Sequence, residues 1–149
     1  MRTWAVFLAR VILGLIFGMA GWYKVFVLTP PGHAAQYFTG PYADSWIPMW
    51  LLYAAGVTVP FIELVGGWLL VAGWRIRDAM IALGIVLILV TYGHLLANHL
   101  FDFTGHVIPR LALLAFVSMV PRAVDRLSID AWLAGRASPR NDGARPPDR

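Results

Sequence analysis

Apolar residues along this chain fall in four long runs, each holding at most two charged side chains, and neither strand alternation nor a one-sided helical stripe describes them. The first run extends from Trp4 to about Phe26, the second from Ile47 to Gly73, the third from Ala79 to about Asn98, and a fourth from about Thr104 to Arg122. At about 1.5 Å rise per residue, the second run is long enough to cross a hydrocarbon layer of about 30 Å. The pattern predicts an all-α polytopic membrane protein, a bundle of four transmembrane helices over residues 1–133 with spans near 4–26, 47–73, 79–98 and 104–122. The fourth is the shortest and carries Arg110 near its start, free to snorkel outward or turn inward. The first is longer than the core of a signal peptide, holds Arg10 and lacks a small-x-small cleavage site, so it reads as a retained helix.

Between the runs, Val27 to Trp46 contains Pro30, Pro31, Gly32, Gly40 and Pro41 and reads as an ordered loop or short interfacial helix. Its Tyr37, Phe38, Tyr42 and Trp46 suit the headgroup level as anchors, and a lid over a site is the other reading. Pro60 lies inside the second run. It should kink the helix near Gly56 to Pro60 and leave a carbonyl free for another donor. After the fourth run, residues 123–133 fit a short amphipathic surface helix, and 134–149 a disordered basic tail.

Composition agrees with a membrane protein: 149 residues, 59% hydrophobic, 13% charged, mean hydropathy +0.67. Half of the net charge of +4 is carried by the last thirty residues and marks a membrane surface, with no nucleic-acid partner expected. Cysteine is absent, which excludes thiol exchange, iron–sulfur clusters and Cys-ligated metal as chemistry of this chain. Arg2, Arg75, Arg77, Arg122, Arg126, Arg136 and Arg140 fall on one side of a four-span bundle, and Lys24 and Arg110 on the other. Both termini should therefore face the cytoplasm.

Glu63 is the only glutamate and the one charged side chain between Ile47 and Gly73, so it needs a partner. On the first run Arg10, Gly14, Gly18, Gly21 and Lys24 fall on one helical face; Gly14 and Gly18 form a GxxxG pair suited to close helix packing. On the second, Gly56, Pro60, Glu63, Gly67 and Leu70 share a face, with Gly66 beside it. Counted from the basic loop side, Arg10 lies roughly 9 Å and Glu63 roughly 15 Å deep. The expectation is a buried Arg10–Glu63 ion pair, serving either helix register alone or a ligand cavity. A second polar cluster is expected where Lys24, His94, Asn98, His99 and Arg110 end their spans, suited to an anion or a quinone carbonyl. His94, His99, Asp102 and His106 match no metal-binding spacing, so neither metal nor haem is expected.

The string Arg10-x3-Gly14-x2-Phe17-x3-Gly21-x2-Lys24, followed by Glu63-x2-Gly66-Gly67-x2-Leu70-x2-Gly73 and then Arg75 and Arg77, resembles the DoxX family of small four-helix membrane proteins over residues 6–98. Arg10, Lys24 and Glu63 match that family's polar positions. The resemblance implies a multi-pass bacterial inner-membrane protein, in a family whose members include subunits of thiosulfate:quinone oxidoreductase and of other membrane oxidoreductase complexes. The proline-bearing first loop and the arginine-rich tail depart from the family pattern, and wider relatives include a receptor-assembly chaperone. Two functions follow. One is the membrane subunit of an oxidoreductase complex, docking a quinone with the electron donor on a membrane or membrane-associated partner; the other is a non-catalytic assembly protein whose polar residues only pack helices. A transporter would need a dimer to enclose a path, and a homo-oligomer is left open.

Overall fold

In a computed structural model, which describes residues 1–97, 104–105, 107–121 and 124–137, the described residues form helices and no strands. Helix α1 (Arg2–Trp22) continues into a π-helical turn over Tyr23–Val27; α2 (Pro30–Ala34) continues likewise over Ala35–Thr39. Next come α3 (Met49–Ala72), α4 (Ile76–Ala97), α5 (Val107–Met119) and α6 (Ile129–Ala137). Three segments are long and apolar enough to cross a membrane: Arg2–Val27, Met49–Ala72 and Ile76–Ala97. The apolar helix α5 has 13 residues, about 20 Å of helix.

The helix expected over 123–133 is displaced. Val124 to Ser128 is not α-helical, and α6 begins at Ile129 and runs into the expected tail as far as Ala137. The physical reason is that Asp125 and Leu127 are drawn into contacts with α1, which an amphipathic surface helix would not allow. Residues 138–149 of the expected tail lie outside the described residues.

Helices α1 and α3 are the closest pair, antiparallel and backbone to backbone. A Cβ on Gly14 would lie 2.7 Å from the Gly67 carbonyl oxygen; one on Gly67 would meet the Gly18 backbone, and one on Gly21 the Leu64 backbone. Without lipid-facing hydrophobic drive, such close approach is what gives helices their contact in a membrane. Gly66 faces α4 instead, where a Cβ would stand 3.0 Å from Leu83. Around this seam Ala9, Leu13, Phe17, Leu70, Met80, Leu83 and Val117 form the buried apolar cluster.

Helix α3 ends on Gly73, which has φ +72°, with Gly73 N–H donating to Leu70 O and Trp74 N–H to Leu69 O. That is a Schellman termination, which needs a residue without a Cβ penalty in the left-handed region. The C-terminal segment then folds back on this turn. Asp130 N–H donates to Gly73 O, and its carboxylate accepts from the N–H groups of Arg75 and Ile76, covering the start of α4.

Candidate functional site

The antiparallel register of α1 and α3 decides which charges meet. Gly14 stands against Gly67 and Val71, and Gly21 against Glu63 and Leu64. The residue reaching Glu63 from α1 is thus Lys24, three positions past Gly21, whose Nζ lies 2.5 Å from Glu63 Oε2. The π-helical turn over Tyr23–Val27 widens the helix where Lys24 leaves it. Glu63 is buried, while the Lys24 side chain keeps 23% of its exposure.

The expected Arg10–Glu63 pair does not form. Arg10 is fully buried, but the same register puts it opposite the C-terminal end of α3, about two turns beyond Glu63. Its Nη1 donates to Leu70 O and, at 3.1 Å, to Val71 O; Nη2 donates to Leu127 O at 2.6 Å; Nε stands 3.0 Å from Asp125 Oδ2. The last carbonyls of a helix lack intrahelical donors and carry the negative end of its dipole, so a guanidinium is suited to that position. Depth alone misassigned the partner because the side chain of Arg10 reaches toward its own end of the bundle.

Lys24 and Glu63 line a cavity of about 850 Å³ between the helices and the segment before α3. His94 and Arg110 of the expected second cluster line the same cavity, so the carboxylate and that cluster form one site rather than two. The Arg110 guanidinium lies 5.9 Å from the centre of the Phe17 ring, and His94 Nδ1 is 2.9 Å from Val90 O. A carbonyl only accepts, so His94 Nδ1–H is the donor of that bond. Asn98 lies outside the described residues, as do His99, Asp102 and His106 of the metal set. Among the described residues no three His, Cys, Asp or Glu side chains gather where they could hold a metal ion.

The aromatic segment before α3 is a wall of this cavity: Tyr37, Phe38, Tyr42 and Trp46 all line it. Two hydrogen bonds hold it there. His33 Nδ1–H donates to Gly56 O at 2.7 Å, and Tyr42 O–H donates to Gly93 O at 2.5 Å, tying the segment to α3 on one side and α4 on the other. Pro60 has no N–H to give Gly56, four residues before it, so His33 supplies the donor that the proline withholds. Gly56 also lets the segment settle onto α3, since a Cβ there would stand 2.6 Å from Ala34 Cα. Burial holds the His33 pKa below the ordinary imidazole value, the bond to Gly56 O opposes this and the nearby Lys24 charge adds to it. Burial raises the Tyr42 pKa. Both groups are therefore neutral near pH 7.

His33 and Asp125 are site residues that the sequence reading did not single out, and Tyr42 entered it only among the aromatic anchors. The freed carbonyl near Pro60 was the available signal for His33, a histidine in the adjoining loop. Asp125 gave none, because its role depends on the chain returning to α1. Compared with known proteins, the chain matches the DoxX family model over residues 5–99, and no curated protein and no solved structure matches it.

Proposed function

This chain belongs to the DoxX family, and from that premise we propose that it is the multi-pass membrane subunit of an oxidoreductase complex whose apolar cavity holds a quinone headgroup. The observation that carries the reading is an ion pair, Lys24–Glu63, set in the wall of a mostly apolar cavity of about 850 Å³. That volume lies within the range of about 300–1,000 Å³ common for small-ligand sites, which join apolar walls to a few placed polar groups. The donor set fits a quinone: Lys24 Nζ and the Arg110 guanidinium are N–H donors suited to carbonyl oxygens, and Phe17, Phe38 and Leu52 suit a flat apolar ring. A bound quinone would supply two-electron, two-proton redox chemistry, with the electrons coming from a redox centre on a partner subunit. Within this chain Lys24 orients the headgroup, Glu63 takes or gives the proton at Oε2, and the Tyr37–Trp46 segment excludes water.

The same proposal places four passes in a bacterial inner membrane with both termini cytoplasmic. What supports the fourth pass is the position of the chain on either side of α5: His94 and Ala97 line the cavity, whereas Asp125 and Asp130 contact Arg10 and the α3–α4 turn. Helix α5 lies between, with Arg110 at the cavity and Val117 in the apolar cluster.

The test is quinone occupancy. Protein purified in mild detergent should carry extractable quinone, and a short-chain quinone analogue should raise its melting temperature, an effect lost in Lys24→Met. No bound quinone and no shift would leave the assembly reading, in which the ion pair only joins α1 to α3.

A further inference from the structure

A neutral imidazole has one N–H to give and one lone pair to fill, so a hydrogen bond at one nitrogen fixes what the other can do. Burial keeps His33 neutral near pH 7, and its Nδ1–H donates to Gly56 O at 2.7 Å, which leaves Nε2 as an acceptor. Tyr37 and Phe38 hold the ring, with centroids 5.2 and 5.5 Å from its own. No described group bonds Nε2. Among the described residues only two side-chain polar atoms without a hydrogen-bond partner are sealed from water, Arg10 Nε and Asp125 Oδ1. His33 Nε2 is therefore open although the residue keeps only 3% of its surface, and the space that His33 lines is the large cavity.

Glu63 is the same case. Lys24 takes Oε2, while Oε1 has no hydrogen-bond partner and is not sealed, on a buried residue that lines the same cavity. Lys24 Nζ has three N–H groups and spends one on Glu63. The polar part of this mostly apolar cavity thus both donates and accepts. A carbonyl oxygen answers donors alone, whereas a hydroxyl answers donors and acceptors. Against a ligand with carbonyls only, the lone pairs of His33 Nε2 and Glu63 Oε1 lose water and gain no donor, which weakens binding.

We propose that the cavity selects the reduced, hydroquinone form of its ligand, one ring hydroxyl donating to His33 Nε2 and the other to Glu63 Oε1, with His33 setting the preference. This rests on the reading of the cavity as a quinone site and narrows it to one oxidation state; it concerns binding alone. The two acceptors are anchored at Gly56 and Glu63, two turns apart on α3, about 10 Å of helix rise. A ring with hydroxyls at opposite positions and a hydrogen bond of about 2.8 Å at each end is a span of that order.

Three short-chain probes built on one ring test it: a benzoquinone, its hydroquinone, and the hydroquinone dimethyl ether, which keeps both oxygens and has no O–H. Full-length protein in mild detergent would be titrated with each by calorimetry under anaerobic, reducing conditions for the hydroquinone. The hydroquinone should bind about tenfold tighter than the quinone, the scale of one hydrogen bond to a group otherwise left unpaired, and the ether no tighter than the quinone. His33→Asn should abolish that difference with little change in quinone affinity, because its amide N–H is placed to donate to Gly56 O while nothing stands where Nε2 stood. His33→Ala in a Pro60→Ala background reaches the same result by another route, since residue 60 then supplies the donor for Gly56 O. Hydroquinone binding no tighter than quinone overturns the selectivity and leaves the quinone reading standing. A preference that persists in both variants, as a histidine that only pairs Gly56 O would give, also overturns it. Binding of none of the three probes removes the quinone reading and this proposal together.

Discussion

Arg10 has no exposure and holds together three chain segments, so its truncation leaves the Asp125 carboxylate without its counter-charge and the Leu70, Val71 and Leu127 carbonyls without their donor. Arg10→Ala should therefore cost about 3–5 kcal/mol, the range for removing one partner of a buried pair. Glu63→Gln should cost less, about 1–2 kcal/mol, because an amide oxygen still accepts from Lys24, whose side chain retains access to water. Chemical denaturation of both variants in detergent checks the ranking, and equal losses would contradict it. His33 gives a pH dependence. Its folded pKa lies below the ordinary value of 6.5, so as pH falls through about 6.5 the unfolded chain takes up a proton that the folded ring refuses, and stability falls; above that range stability does not depend on this ring's protonation. Melting temperatures recorded between pH 7.5 and 5, for the unaltered protein and His33→Gln, should converge toward the acid end.

At the level of the helices, the pairing of His33 with Pro60 is a coupling that a double-mutant cycle can read. His33→Ala should cost about 1–3 kcal/mol by leaving Gly56 O unpaired, and clearly less in a Pro60→Ala background, where the restored N–H of residue 60 reaches that carbonyl. Additive effects would mean that the histidine acts elsewhere. Much of this was legible in the sequence: the helical spacing of Arg10, Gly14, Gly18, Gly21 and Lys24 names the face that α1 buries, and Pro60 announces a carbonyl in need of a donor. What the spacing does not carry is the axial offset between helices. That offset depends on which glycine sits against which, Gly21 on Leu64 and Gly14 on Gly67, and it moves the partner of Glu63 from Arg10 to Lys24. Asp125 was illegible for a related reason, since the pattern of residues 123–133 reads as a surface helix until Arg10 is known to reach past α3.

For the molecule as a whole, one end of the bundle gathers the start of α1, the α3–α4 turn and the segment leading into α6 around Arg10, Gly73 and Asp130, while the cavity and its aromatic wall occupy the opposite end. If α5 with its flanks completes a fourth pass, Asp78 and Gly135 must share one aqueous phase and Asp44 must face the other. The absence of cysteine makes the protein its own background for labelling. A membrane-impermeant maleimide applied to cells with a permeable outer layer should modify Asp44→Cys and leave Asp78→Cys and Gly135→Cys unmodified until the membrane is opened. All three positions are exposed, and a side chain at Gly135 meets nothing within 4 Å, so a lack of reaction reports sidedness rather than burial. Labelling of Gly135→Cys together with Asp44→Cys would mean only three passes. It would also be incompatible with the Asp130 bonds to Arg75 and Ile76, because a segment on the far side of a bilayer cannot cap the start of α4.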